Sequence, residues 1–141
     1  MLDYSMNNIG ILDPNGKKIN PLTGNKYANI YANKIDPKTN KPTTYKHFAN
    51  LWSKFPMYSR AKEIIQAIKD HNIIFIRSGT GSGKTVLTPK FVLHALEYKH
   101  KVLVTIPKKL PTHSSAEFAA QTLDVTLGEE VGFYFKGKRE I

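Results

Sequence analysis

Eight consecutive residues, Ser78-Gly79-Thr80-Gly81-Ser82-Gly83-Lys84-Thr85, combine three glycines, four hydroxyl side chains and one lysine. Glycines let a chain take positive φ and bring its N–H groups close to anionic oxygens. Lys84 is placed to reach the β- and γ-phosphates of a nucleotide as a point charge, and Thr85 to offer its hydroxyl to Mg²⁺. A helix starting there directs its positive end at the same anion. The stretch fits the phosphate-loop pattern G-x-x-x-x-G-K-[ST], with Ser78 in place of the first glycine. The expected site is Gly79, Thr80, Gly81, Ser82, Gly83, Lys84 and Thr85, with a nucleoside triphosphate and Mg²⁺ as its cofactors. The bland alternative, a glycine-rich surface turn before a helix, does not account for the apolar run that leads into it.

That run, Ile73-Ile74-Phe75-Ile76, reads as a buried strand. Behind Lys84, Leu87, Phe91 and Ala95 recur at helical spacing, continued by Tyr98, and Pro89 falls just past the first turn, where it tightens or kinks the start. Val102-Leu103-Val104-Thr105-Ile106, closed by Pro107, reads as a second strand. Strand, loop, helix and strand make a βαβ unit, whose connection is right-handed and whose strands are parallel. A third cycle follows: a helix from Ser114 or Ser115 to Leu123, a turn at Gly128, and a strand over Val131-Gly132-Phe133-Tyr134-Phe135. An amphipathic helix with Ser59 as N-cap and Ile64, Ile65, Ala67 and Ile68 on its apolar side is expected to cover the sheet. The fold class is therefore α/β with a parallel sheet. In such sheets ligands lie beyond the carboxyl ends of the strands. Thr105-Ile106-Pro107-Lys108-Lys109 shares that end with the glycine loop, and its two lysines either meet a second anion or stay solvated.

The 141 residues suffice for one core. The chain has no cysteine, which excludes disulfides, thiol nucleophiles and cysteine-ligated zinc. No apolar run is long enough to span a bilayer and no signal-peptide pattern opens the chain, so the expectation is an intracellular protein with no membrane partner. A net charge of +10 favours polyanionic partners, although a solvated lysine-rich surface carries the same number.

Residues 1–54 read as a polar, mostly irregular N-terminal arm, and residues 55–141 as the α/β portion. Nine of the ten asparagines lie before residue 51. Asp13-Pro14-Asn15-Gly16 and Asp36-Pro37-Lys38-Thr39-Asn40 read as two related turns, and a short helix is expected around Tyr45 to Ser53. Tyr27, Tyr31, Tyr45, Phe48 and Trp52, interleaved with lysines, either anchor this arm to its own domain or stack on bases. Anchoring is the favoured reading.

From Phe55 to Lys136 the chain resembles the DEAH-box helicases of superfamily 2, including those of large DNA viruses. Phe55-Pro56-Met57-Tyr58 is similar to the Leu-Pro segment ahead of their nucleotide loop, and Thr80 to Thr85 to their motif I. Thr105-Ile106-Pro107-Lys108-Lys109 is similar to motif Ia, with lysines at both arginine positions. Leu127-Gly128-Glu129-Glu130-Val131-Gly132-Phe133 is similar to the Leu-Gly-x-x-Val-Gly-Tyr that follows. The resemblance implies an incomplete RecA-like domain of an ATP-dependent motor that binds single-stranded RNA, with DNA as an alternative. It implies backbone contacts to the nucleic acid at Thr105, Pro107, Lys108 and Lys109, and places Phe118 where many members carry an arginine over the nucleotide base. Phe118 then either stacks on adenine or belongs to the core.

The resemblance also implies an Asp-Glu-Ala-His segment and a second motor domain, and the chain reaches Ile141 before either. Hydrolysis needs an oriented water, a carboxylate in the Mg²⁺ shell and an arginine on the γ-phosphate. The chain is therefore expected to be an N-terminal piece, inactive by itself, completed by downstream helicase domains in cis or in trans. If the origin is viral, cytoplasm or virion is the expected location. Two other readings stand beside the helicase: a small phosphate-loop nucleotide kinase, and a non-catalytic nucleic-acid-binding module.

Overall fold

The computed structural model describes residues 19–79, 81–105, 109–135 and 138–140. Asp36 and Asn40 set up the first element. The Asp36 carboxylate accepts from Lys38 N at 2.9 Å, Asn40 N donates to Asp36 O at 2.7 Å, and Asn40 takes a positive φ of 56°. This turn folds β1 (Ile35–Asp36) antiparallel onto β2 (Lys41–Pro42). The related turn expected at Asp13 lies outside the described residues.

Thr44 then caps helix α1 (Tyr45–Trp52), its hydroxyl accepting from His47 N at 3.2 Å. A 3₁₀ turn (Pro56–Arg60) leads into α2 (Ala61–Asp70). Ser59 does not cap α2, because its hydroxyl is spent inside the 3₁₀ turn, donating to Pro56 O at 2.8 Å. The glycine loop opens into α3 (Lys84–Ala95), which holds Pro89 internally, and α4 (Lys109–Leu123) starts several residues earlier than expected.

The core is helical. Tyr45, Phe48, Ala49 and Trp52 of α1 meet Ile65 of α2, Leu87 and Phe91 of α3, and Ala120, Leu123 and Val125 in and after α4. Tyr27 stacks on Tyr45 with centroids 3.9 Å apart, and Trp52 lies edge-on to Tyr45 at 6.4 Å. These aromatics anchor the N-terminal residues to the rest of the chain, in keeping with the favoured reading.

Polar clasps reinforce the contact where α4 ends. Asp124 takes φ 56° and its carboxylate accepts from Asn29 N at 2.7 Å and Ile30 N at 2.8 Å. Asn20 Nδ2 donates to Leu123 O at 2.8 Å, Tyr31 OH donates to Val125 O at 2.7 Å, and Tyr45 N donates to Asn29 Oδ1 at 3.0 Å. Burial, then the nearby Asp124 carboxylate, push the Tyr31 phenol above its ordinary pKa.

The sheet is where sequence and structure part. Residues 73–79 and 101–105 carry no strand assignment and belong to no ladder among the described residues. The parallel pairing expected of them is therefore not formed between them here. A β-strand gains its hydrogen bonds from a neighbour, so an apolar run without one remains a solitary segment. The third expected strand does form, as β3 (Phe133–Phe135). It pairs antiparallel with β4 (Lys138–Glu140) rather than joining a parallel sheet. Among the described residues, two short antiparallel ladders, β1–β2 and β3–β4, thus sit among four α-helices.

Candidate nucleotide site

Gly81 and Gly83 occupy the left-handed region at φ 81° and 96°, and Gly83 opens helix α3. A side chain at Gly83 is excluded twice over: by that φ, and by Phe55, whose ring and Cβ carbons lie within 2.9 Å of where a Cβ would stand. Gly79, Ser82, Lys84 and Thr85 complete the described part of the loop, and Thr80 lies outside it.

The loop is closed on itself. Ser82 N donates to Gly79 O at 3.3 Å, the Ser78 and Ser82 hydroxyls are 2.7 Å apart, and Leu87 N donates to Gly83 O at 2.8 Å to start the helix. The exposed Lys84 side chain folds back, donating from Nζ to Ser78 O at 3.0 Å. The ammonium is thus held across the loop by one neutral carbonyl, a weaker partner for a cation than an anionic oxygen. Phe55-Pro56-Met57 braces the loop from outside, with Met57 N donating to Ser82 O at 3.1 Å.

Next to the loop, Thr85 and Val86 at the start of α3 face Ser114, Ser115, Phe118 and Ala119 of α4 across an open cleft of about 310 Å³. Phe118 is 37% exposed and meets Phe48 edge-on at 5.6 Å. Its ring therefore packs on a core aromatic and also borders the cleft. Thr105 is exposed in a segment with no strand or helix assignment, Pro107 and Lys108 lie outside the described residues, and Lys109 opens α4. The structure therefore brings Phe118 together with Thr85, but describes only part of the motif Ia-like segment.

Two features were missed in the sequence. The brace from Met57 to Ser82 carries no side-chain signal, being a backbone hydrogen bond. Lys90 is 2% exposed and donates from Nζ to Thr122 Oγ1 at 2.9 Å and Val86 O at 3.1 Å, with Trp52 5.9 Å away beneath it. Burial lowers its pKa to about 7. Its signal was the period itself: a residue three after Leu87 and one before Phe91 lies on the buried face. His94, one turn further on, is buried too, with Nδ1 3.0 Å from Tyr98 OH.

No family model matches the chain. Individual relatives do. The chain is 40% identical over 129 residues to the ATP-dependent RNA helicase L540 of Acanthamoeba polyphaga mimivirus, a match that takes in 92% of this chain and 16% of that protein. It is 41% identical over 81 residues to the ATP-dependent RNA helicase HrpA of Borreliella burgdorferi, covering 57% of this chain and 10% of HrpA. Over 80 residues it is 38% identical to the ATP-dependent RNA helicase DHX40 of Homo sapiens, covering 56% and 10%. The chain thus spans about a sixth or less of the length of these relatives. The chain is a homologue of one stretch of the DEAH-box type ATP-dependent RNA helicases.

Proposed function

We propose that the chain is the nucleotide-binding portion of an ATP-dependent RNA helicase, the start of a RecA-like motor domain whose sheet is parallel once complete. The observation that carries this reading is the loop from Ser78 to Thr85. Gly81 and Gly83 hold positive φ there, and the Lys84 ammonium is parked on a loop carbonyl.

In this reading Gly79, Thr80, Gly81, Ser82 and Gly83 present backbone N–H groups to the phosphates. Lys84 leaves Ser78 O for the β/γ-phosphate oxygens, and Thr85 lends its hydroxyl to Mg²⁺. The metal, when bound, neutralises charge on the phosphate chain. Phe118 offers its exposed face to the base, with Val86 and Ala119 as apolar walls. Thr105, Pro107, Lys108 and Lys109 follow the backbone of a single-stranded RNA, or DNA, in a salt-sensitive and sequence-tolerant contact. Turnover requires downstream helicase segments, in cis or in trans, to orient the attacking water and offset charge on the γ-phosphate. The setting is intracellular, in the cytoplasm or, for a viral protein, the virion.

The test is calorimetric titration of MgATP into the wild-type chain and into Lys84→Ala, with phosphate release followed in the same samples. Binding that is lost with Lys84, and no release in either sample, is the expected result. Equal binding by both chains contradicts the assigned loop, and release that depends on Lys84 contradicts the requirement for further segments.

A further inference from the structure

Lys90 joins the two helices that wall the nucleotide cleft. Its Nζ donates to Val86 O at 3.1 Å within α3 and to Thr122 Oγ1 at 2.9 Å on α4, and the Thr122 hydroxyl donates in turn to Ala119 O at 3.0 Å. Val86 lines the α3 wall of the cleft and Ala119 the α4 wall. A continuous run of hydrogen bonds therefore passes behind the cleft, from the backbone of one wall to the backbone of the other.

The α3 wall has need of such support. Pro89 has no N–H, so Thr85 O receives no helical hydrogen bond from residue 89. The turn that carries Thr85 and Val86 is thus short of one bond where it borders the cleft, and Lys90 Nζ supplies a side-chain donor to the next carbonyl along. Lys90 and Thr122 are both buried, with Trp52 5.9 Å beneath Nζ. A methionine would fill the same space without the desolvation cost of an amine. What it would lack is a directional link that fixes how far α3 stands from α4, one turn along from Phe118.

We propose that Lys90 is a positioning residue for the nucleoside base: acting through Thr122, it holds the α3 and α4 walls at the separation at which Phe118, Val86 and Ala119 enclose that base. This rests on the nucleotide reading above and concerns the base alone, since the phosphate loop has its own closures at Gly79, Ser82 and Gly83. A cleft held at width before the ligand arrives loses less binding free energy to the ordering of its walls. Cutting the link therefore lowers the affinity owed to the base and leaves the affinity owed to the phosphates.

The experiment titrates MgATP and, separately, magnesium triphosphate, which has the phosphates and no base, into the full 141-residue chain, Lys90→Met, Thr122→Val and the double variant. Lys90→Met removes the donor and keeps the length. Thr122→Val removes the hydroxyl at the other end of the link and changes no charge. The wild-type chain should bind MgATP more tightly than triphosphate. Each single variant should lose about five- to tenfold in MgATP affinity and change by less than about twofold for triphosphate. The double variant should lose no more than either single one, because both cut the same link.

MgATP affinity indifferent to both single variants overturns the proposal, and so do equal losses for MgATP and triphosphate, which would mean that Lys90 supports the loop or the fold as a whole. A wild-type chain that binds MgATP no better than triphosphate overturns it as well. Lys84→Ala is titrated alongside. If triphosphate binding depends on Lys84 while the advantage of MgATP ignores Lys90, only the positioning role is lost. If triphosphate binding ignores Lys84 while the advantage of MgATP depends on Lys90, only the loop reading is lost. Absence of binding by either ligand overturns both.

Discussion

Trp52 and Phe75 are both large aromatics in short apolar stretches, yet one is 1% and the other 96% exposed. Around Trp52, α1 finds α4 and the clasps at Leu123, Asp124 and Val125, so its ring is enclosed by the described chain, although its buried Nε1 meets no hydrogen-bond partner there. Around Phe75 the helices cover one side and leave the other bare. Helices close their own backbone hydrogen bonds and need neighbours only for a stripe, whereas an extended segment needs neighbours for its backbone as well as for its faces. The helical layer is therefore complete where the sheet layer is open.

The sharpest way to break that contrast is to empty the helical core. Trp52→Ala or Phe91→Ala should cost about 3–5 kcal/mol and unfold much of the chain, read as a loss of cooperative thermal melting. Asp124→Ala strips the acceptor from Asn29 N and Ile30 N and should cost about 2 kcal/mol, measured by urea denaturation with loss of protection in residues 27–31. A stability unchanged by Asp124→Ala would mean that the N-terminal residues are not held by the end of α4.

Gly83→Ala forces a side chain into positive φ and against Phe55. It should cost roughly 1–3 kcal/mol locally and weaken MgATP binding more than it lowers the melting temperature, checked by calorimetry beside a melt.

Lys90 sharpens the comparison with a pH signature. Its folded pKa, lowered to about 7 from 10.5, means that the unfolded chain holds more protons between those values. Stability therefore rises with pH across that window, by at most about 1.4 kcal/mol per unit, and the penalty is full below pH 7. Lys90→Met should flatten the rise in denaturation midpoints from pH 7 to 10. The smallest effect belongs to the open side, where Phe75→Ser should change stability by less than about 0.5 kcal/mol while reducing aggregation in light scattering.

What could be read in the residues follows the same divide. The positive φ of Gly81 and Gly83 and the helix that starts at Lys84 were legible because glycine spacing is a local demand on the backbone. Helices α2 and α3 were legible because a 3.6-residue period needs no knowledge of the partner. Ser59 was misplaced as an N-cap because a 3₁₀ turn competed for its hydroxyl. The parallel pairing expected between residues 73–76 and 102–106 is not formed among the described residues, since an apolar run announces burial but not which strand delivers it. Lys90 carries no signal in its residue type, and its burial follows only from its place beside Leu87 and Phe91 on the buried stripe.

Hydrogen exchange of the wild-type chain, with and without MgATP, tests the account most directly. It predicts strong protection in α1 and α3, rapid exchange at residues 73–76 and 101–105 in both conditions, and new protection from Ser82 to Thr85 only when nucleotide is present. Protection at residues 73–76 equal to that of α3 in the chain alone, or a loop indifferent to MgATP, would contradict it.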